Sequence, residues 1–237
     1  MTFASNLRFA VRAFAGRYPS LFYRFYGARP RNRGLSVLPG TQLVIEGFPR
    51  SANTFAVAAF SHVQPGEVKL AHHLHVPAQV IRAVRLGVPA VVLIREPREA
   101  VASMLVFDPA LSPRLLLRTH IRFYETLLPY REGYVAATFE DATRHLDRVV
   151  TALNARFHTE FAVPRLTERD LREIFDGMEH HNRRVNGGLF IRSGTPSPQR
   201  NTAKQAARRR IEHGRYRELL AAAEAVYRRF VSEAAVL

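Results

Sequence analysis

From Leu43 to Phe55 the chain reads Leu-Val-Ile-Glu-Gly-Phe-Pro-Arg-Ser-Ala-Asn-Thr-Phe. An apolar run ends at Gly47, a loop carries Arg50 and Ser51, and Asn53-Thr54 opens a helical stretch. A strand–loop–helix unit of this kind aims successive backbone N–H groups and a helix N-terminus at one point, which suits an anion. Arg50 adds a cation there. A second stretch, Val91 to Ser103, has a related layout. Arg95 stands at the C-terminal end of an apolar run, where open α/β sheets bind ligands. Pro97 begins a helix, and Ser103 lies about two turns into it. Arg95 and Ser103 can close on one phosphate, the guanidinium supplying a two-pronged donor. The plainer alternative is Arg95 paired with an acid and Ser103 as an ordinary helix residue.

Between these stretches lies Lys69-Leu70-Ala71-His72-His73-Leu74-His75-Val76-Pro77. In an extended strand His73 and His75 share one face and His72 points oppositely. Three histidines so close invite zinc, but with His72 facing away and no acid nearby no metal site is expected. Further on, Asn186 to Arg200, which contains Arg192-Ser193-Gly194, reads by itself as a flexible surface loop. Arg208-Arg209-Arg210 reads as a solvated helix face.

These residues need a scaffold, and the rest of the chain describes one. Strand-like segments at Thr41–Gly47, Val68–His75, Val88–Ile94 and Gly133–Phe139 alternate with helical ones. The helices are expected over Thr54–His62, Pro77–Arg85, Pro97–Phe107, Pro113–Tyr130, Arg144–His158, Glu168–Asn182 and Ala203–Ala235. Proline at helix starts and Gly87 after Arg85 mark several of these boundaries. The alternation predicts an α/β fold, a parallel sheet with helices on both faces in three layers.

Composition bounds the rest. The chain has 237 residues, 47% apolar, which suits one domain or one domain with an appendage and excludes a disordered chain. The absence of cysteine excludes thiolate nucleophiles, disulfides, iron–sulfur ligation and cysteine zinc sites. The longest apolar run, Val88 to Ile94, has strand length rather than the roughly 20 residues of a membrane span. The formal charge is +15, from 33 Arg and only Lys69 and Lys204 as lysines. Either a coding bias toward Arg and Ala or an anionic partner accounts for it.

The N-terminus differs from the remainder. No acidic residue occurs before Glu46, while Arg8, Arg12, Arg17, Arg24, Arg29, Arg31 and Arg33 alternate with aromatic residues. Leu7, Ala10, Val11 and Phe14 follow helical spacing, with Arg8 and Arg12 off that face. Two readings stand: a helix packed on the domain, or peripheral docking of residues 1–34 on an anionic membrane. The stretch is no secretory signal, though its Arg-rich start resembles an organellar transit peptide. Arg29 to Gly34 reads as a linker. The expected division is a basic helical segment over 1–38 and an α/β domain over 39–237. The expected location is cytoplasmic, on the cytoplasmic face of a membrane if residues 1–34 dock there.

The two phosphate stretches together resemble the PAPS-dependent sulfotransferases, PAPS being 3′-phosphoadenosine 5′-phosphosulfate. The family's 5′-phosphosulfate loop, P-[KR]-S-G-[TN]-T-[WF], is similar to Pro49-Arg50-Ser51-Ala52-Asn53-Thr54-Phe55. Its 3′-phosphate motif, R-[ND]-P-[KR]-[DE]-x-x-x-S, is similar to the run from Arg95 to Ser103, with Glu96 at the variable second position. A strand ending in Phe139-Glu140-Asp141 resembles the family's Y-E-D element. The resemblance covers about Thr41 to Phe161. It departs at Ala52, where glycine is usual, and at Arg50, where many members have lysine.

The resemblance implies a P-loop-like nucleotide fold, with PAPS as co-substrate and no metal. The acceptor would be a hydroxyl or amine on a small molecule, lipid or carbohydrate. Arg50, Ser51, Ala52, Asn53, Thr54 and Phe55 would surround the phosphosulfate. Arg95 and Ser103 would hold the 3′-phosphate, Phe139 would pack on adenine, and Arg192 and Gly194 would complete the grip. A histidine would be the general base: an H-x-P pattern points to His75, spacing back from Arg95 points to His73, and His72 is third. Arg50 would stabilise charge during transfer.

Two rival classes remain open. The ATPase pattern G-x-x-x-x-G-K-[ST] overlays Gly47, Ala52, Asn53 and Thr54 but lacks its second glycine and its lysine, which disfavours a nucleotide kinase or NTPase. A non-catalytic basic module binding membrane, glycan or nucleic acid would use the charge alone. Nucleic acid is not expected, since no helix-turn-helix or base-stacking motif is evident.

Overall fold

The structure, a computed structural model, describes residues 2–27, 29–187, 195 and 198–234. Four strands form one sheet: β1 (Leu43–Gly47), β2 (Leu70–His72), β3 (Ala90–Ile94) and β4 (Val135–Thr138). They lie in the order β2-β1-β3-β4, and every pairing is parallel. Every residue of β1 and β3 is buried, as central parallel strands covered on both sides must be.

The pleat divides the sheet's side chains between two cores. Val44, Val92, Ile94 and Ala136 face one, and Leu43, Ile45, Leu93 and Ala137 face the other. Over the first face pack α5 (Pro77–Arg85), α6 (Pro97–Phe107), α7 (Pro113–Leu127), α11 (Pro198–Glu212) and α12 (Arg217–Glu233). Over the second pack α4 (Asn53–Val63), α8 (Phe139–Arg144), α9 (Leu146–Phe157) and α10 (Glu168–Asn186). The chain is thus α/β, with a four-stranded parallel sheet flanked by helices on both faces.

Several boundaries depart from expectation for local reasons. β2 ends at His72, not His75, because His73 and His75 take left-handed backbone angles, φ 58° and 49°. α8 is an extra turn, started where the Thr138 side chain and Asp141 cap each other reciprocally. The expected single C-terminal helix is two: α11 ends at Glu212, and Gly214, at φ 62°, turns the chain into α12. No helix among the described residues is long and apolar enough to cross a membrane.

The N-terminal segment packs against the sheet's helices through α1 (Thr2–Ala15), α2 (Pro19–Phe22) and α3 (Pro30–Arg33). Phe22 is buried with Leu74, Val76 and Ala78, and Val37 lies in the first core. The Gly16 carbonyl accepts from Ala78 N at 2.7 Å, an approach that a Cβ on Gly16 would block against Val76. The Leu35 carbonyl accepts from His72 N at 3.0 Å and from Gln79 Nε2 at 2.9 Å. Residues 30–33, expected as linker, form the α3 turn.

Candidate functional site

In a sheet ordered β2-β1-β3-β4 the chain reverses its direction of winding between β1 and β3, and the crevice beyond those strand ends is where open α/β sheets bind ligands. Here the loop after β1 meets the loop after β3. The strands come so close that a Cβ at Gly47 would collide with the Leu93 carbonyl oxygen. The buried Tyr124 hydroxyl bridges them, donating to Leu93 O at 2.9 Å and accepting from Phe48 N at 3.3 Å.

The loop's backbone departs from the usual right-handed and extended regions. Arg50 and Ala52 both lie in the left-handed region, φ 72° and 73°, on either side of Ser51. Alternating handedness can turn neighbouring N–H groups toward one concavity, but here Ser51 N donates to the Phe48 carbonyl at 3.3 Å; α4 starts directly after the loop. Asn53 is buried. Its Nδ2 donates to Phe48 O at 3.4 Å, and its Oδ1 has no partner among the described residues. Phe55 points elsewhere: its ring packs on Phe175 of α10, centroids 5.7 Å apart, inside the second core.

Cations converge on this crevice. Arg95 Nη1 donates to the Arg50 carbonyl at 3.1 Å, and Arg50 Nε donates to Ser103 Oγ at 3.1 Å. Arg200, buried on α11, reaches the same Ser103 oxygen at 3.5 Å. The Arg95 guanidinium lies 3.9 Å above the Phe139 ring, so one face of that ring is occupied by Arg95. Glu99 sits 3.5 Å from Arg95 and pairs with Arg208 at 2.6 and 2.7 Å. Lys204, half-buried one turn from Arg200, is pushed down to about 8 by burial and by the charges of Arg95 and Arg200, with Glu99 opposing. Arg50 is likewise stressed by burial first, then by Arg200 and Arg95. A guanidinium does not escape such a field by losing its proton.

The histidines stand on the other side of the loop. They do not alternate as a strand would have them. The His72 and His73 rings meet, Nδ1 to Nδ1 at 2.6 Å, and His73 Nε2 lies 3.0 Å from Thr54 Oγ1. Both nitrogens of His73 are therefore engaged. His75 donates from Nδ1 to the Gly47 carbonyl at 2.8 Å, which leaves Nε2 as the lone-pair nitrogen. Burial, and then the charges of Arg12 and Arg50, push His75 down to about 4, so it is neutral at pH 7.

Glu46 anchors this histidine loop. Fully buried at the end of β1, it accepts from Gly47 N, Leu74 N and Gln79 Nε2 at 3.0–3.2 Å, and burial pushes it up to about 7. On α7, His120 donates from Nε2 to the Arg95 carbonyl at 3.1 Å. Burial pushes it down to about 4, so it acts there as a neutral prop.

Of the residues expected around a phosphate, Arg50, Arg95 and Ser103 are linked by hydrogen bonds, whereas Asn53 is bonded back to Phe48 and Thr54 meets His73 on the other side of the loop. Arg192 and Gly194 lie outside the described residues. Sequence reasoning missed Glu46, Tyr124 and His120, whose roles depend on long-range contacts. It also missed Arg200 and Lys204, and it read Arg208 as solvated; Arg209 and Arg210 are exposed, but Arg208 is turned onto Glu99. The available signal was the four-residue spacing of Arg200, Lys204 and Arg208, which puts all three on one helix face. Among the described residues, one group is close enough to share a metal ion, His62, Asp170 and Glu173, a surface ion-pair cluster between α4 and α10 and apart from this crevice. The chain matches no protein-family model, no curated protein and no solved structure.

Proposed function

We propose that the protein is a PAPS-dependent sulfotransferase with a P-loop-like nucleotide site. The observation that carries this reading is the meeting of Arg50, Arg95 and Arg200 around Ser103, beside a loop whose backbone is left-handed at Arg50 and Ala52. Arg50, Arg95, Arg200 and Lys204 gather here with Glu96, Glu99 and Glu179 acting on them, and a cluster of this kind suits a ligand bearing several negative charges; PAPS carries a phosphate at each end of its ribose. The 5′-phosphosulfate lies in the loop from Arg50 to Thr54, and the 3′-phosphate takes Arg95, Ser103 and Arg200.

In the transfer, the acceptor hydroxyl oxygen attacks sulfur while the bond from sulfur to the 5′-phosphate oxygen breaks on the opposite side. A new O–S bond forms, the hydroxyl proton passes to Nε2 of His75, and 3′-phosphoadenosine 5′-phosphate (PAP) leaves. Such a step asks the protein mainly for position and charge, as phosphoryl transfer does. Arg50 and the loop N–H groups balance the charge that builds on the leaving phosphate. His75 is favoured over His73 as base because its Nε2 is uncommitted, whereas both His73 nitrogens are engaged.

Calorimetric titration with PAP and with ATP, each with and without Mg²⁺, tests the reading. Tight, metal-independent PAP binding that Arg95→Ala abolishes is expected. ATP binding that requires Mg²⁺ would instead establish a kinase-like site, and no nucleotide binding would leave the basic surface as the functional part.

A further inference from the structure

The face that α1 turns outward is apolar. Phe3, Leu7, Val11, Phe14 and Tyr18 recur at intervals of three and four and are 46–79% exposed. The inward face carries the polar contacts. Asn6 donates to Ala110 O at 2.7 Å and accepts from Ser112 N at 2.8 Å, and Arg12 donates to the Leu74 carbonyl. Phe9 packs on the first core, but the larger share of the helix's apolar side chains stays outside, unlike a helix whose whole apolar stripe faces in. Phe25 adds another ring, 55% exposed, beyond the helix end. Scattered exposed leucines need no explanation, but a continuous aromatic stripe about 20 Å long does.

The surroundings indicate what covers it. Arg8 and Arg24 are exposed beside the stripe, and no acidic residue precedes Glu46. Across the contact between α1 and α7, Arg114, Arg118 and Arg122 form an exposed row at every fourth residue, and the first acid on α7 is Glu125 near its far end. Between the two helices a cleft runs from Phe14 and Arg17 past Arg118 and Arg122 to His75. An apolar ridge beside a band of guanidinium groups matches the layering of an anionic bilayer, acyl chains beneath phosphates.

We infer that α1 lies in the surface of an anionic lipid bilayer, with Phe3, Leu7, Val11 and Phe14 in the acyl boundary, the α7 arginines on lipid phosphates, and the cleft to His75 facing the membrane. The docking is independent of the transfer chemistry proposed above, and a binding assay without PAPS examines it alone.

Co-sedimentation of the full chain with phosphatidylcholine vesicles, with and without phosphatidylglycerol, at low and high salt, decides it. Binding only to the anionic vesicles is expected, weakening as salt rises. The combined variant Phe3→Ser, Leu7→Ser, Val11→Ser removes exposed side chains only. It should keep the wild-type melting temperature and lose at least about tenfold in vesicle affinity. Arg118→Gln with Arg122→Gln should weaken binding and flatten its salt dependence. Three results would overturn the inference: no binding to anionic vesicles, equal binding to neutral ones, or undiminished binding by the triple serine variant. A wild-type dimer in gel filtration that the triple variant splits, without vesicle binding, would assign the face to a second copy of this chain.

Discussion

Arg95 reaches back across the crevice to donate to the main-chain carbonyl of Arg50 at 3.1 Å. One guanidinium thus has two parts in the proposed site: it brings charge to the crevice and it holds the loop that forms the crevice's other wall. Lysine could supply the charge but not a planar fork that serves both at once. Arg95→Lys is expected to weaken PAP binding by roughly 10- to 150-fold, the equivalent of about 1.5–3 kcal/mol for a charge-assisted hydrogen bond. Calorimetry on the variant checks it. Binding within twofold of wild type would reduce Arg95 to a point charge.

Lys204 gives the site a pH dependence. In the free protein it is held near 8, below the usual lysine range, by burial and by the neighbouring arginines. An anion favours the protonated form, so binding raises that value and takes up a proton. Affinity for PAP should be at its full value below pH 8 and fall above it, by up to about tenfold per unit, until the raised value in the complex is passed. Titrations between pH 7 and 9.5 would show the slope, and Lys204→Met should remove it while lowering affinity at pH 7.

The base assignment separates the two histidines. His75→Gln is expected to lower kcat by about 10²- to 10⁴-fold with little change in PAP affinity. His73→Gln, which keeps a hydrogen-bonding group for Thr54, should cost much less. Because His75 is held near 4, it is unprotonated throughout the neutral range, and the loss of turnover that comes from protonating it should appear as pH drops through about 4. Equal losses in both variants, or in neither, would remove His75 from the role.

Ala52 offers a stability test. An L-residue at φ 73° bears a cost that glycine does not, roughly 1–2 kcal/mol, partly offset by glycine's greater freedom when unfolded. Ala52→Gly is therefore expected to stabilise the protein by up to about 1 kcal/mol, a rise in Tm of roughly 2–4 °C for a chain of this size. A lowered Tm would mean that the methyl group packs more favourably than its backbone angle costs.

Local signals were legible where the physics is local. Proline at the first helical position and a glycine just past the end bound α5 at Pro77 and Arg85. Pro97 did the same for α6, and the apolar run at Ala90–Ile94 announced a strand covered on both faces. The α8 turn is legible too, in the Thr138 to Asp141 capping spacing. The histidine segment misled because alternation holds only while the backbone stays extended, and β2 stops at His72.

The strand–helix alternation follows from the sequence, since each segment is written within a few consecutive residues, and the cationic balance follows from composition. Tertiary structure alone decided three other things. It brought Arg200 and Lys204 from a distant helix to Ser103 and Arg95. It buried Glu46 against the Leu74 amide and so shaped the loop that frees one nitrogen of His75. It also turned the apolar stripe of α1 to the outside: Asn6 and Arg12 find carbonyl and amide partners on the domain and Phe9 packs on the first core, while Phe3 and Phe14 are left exposed. A helix pattern shows that two faces differ; which face turns inward depends on the contacts that the rest of the fold offers.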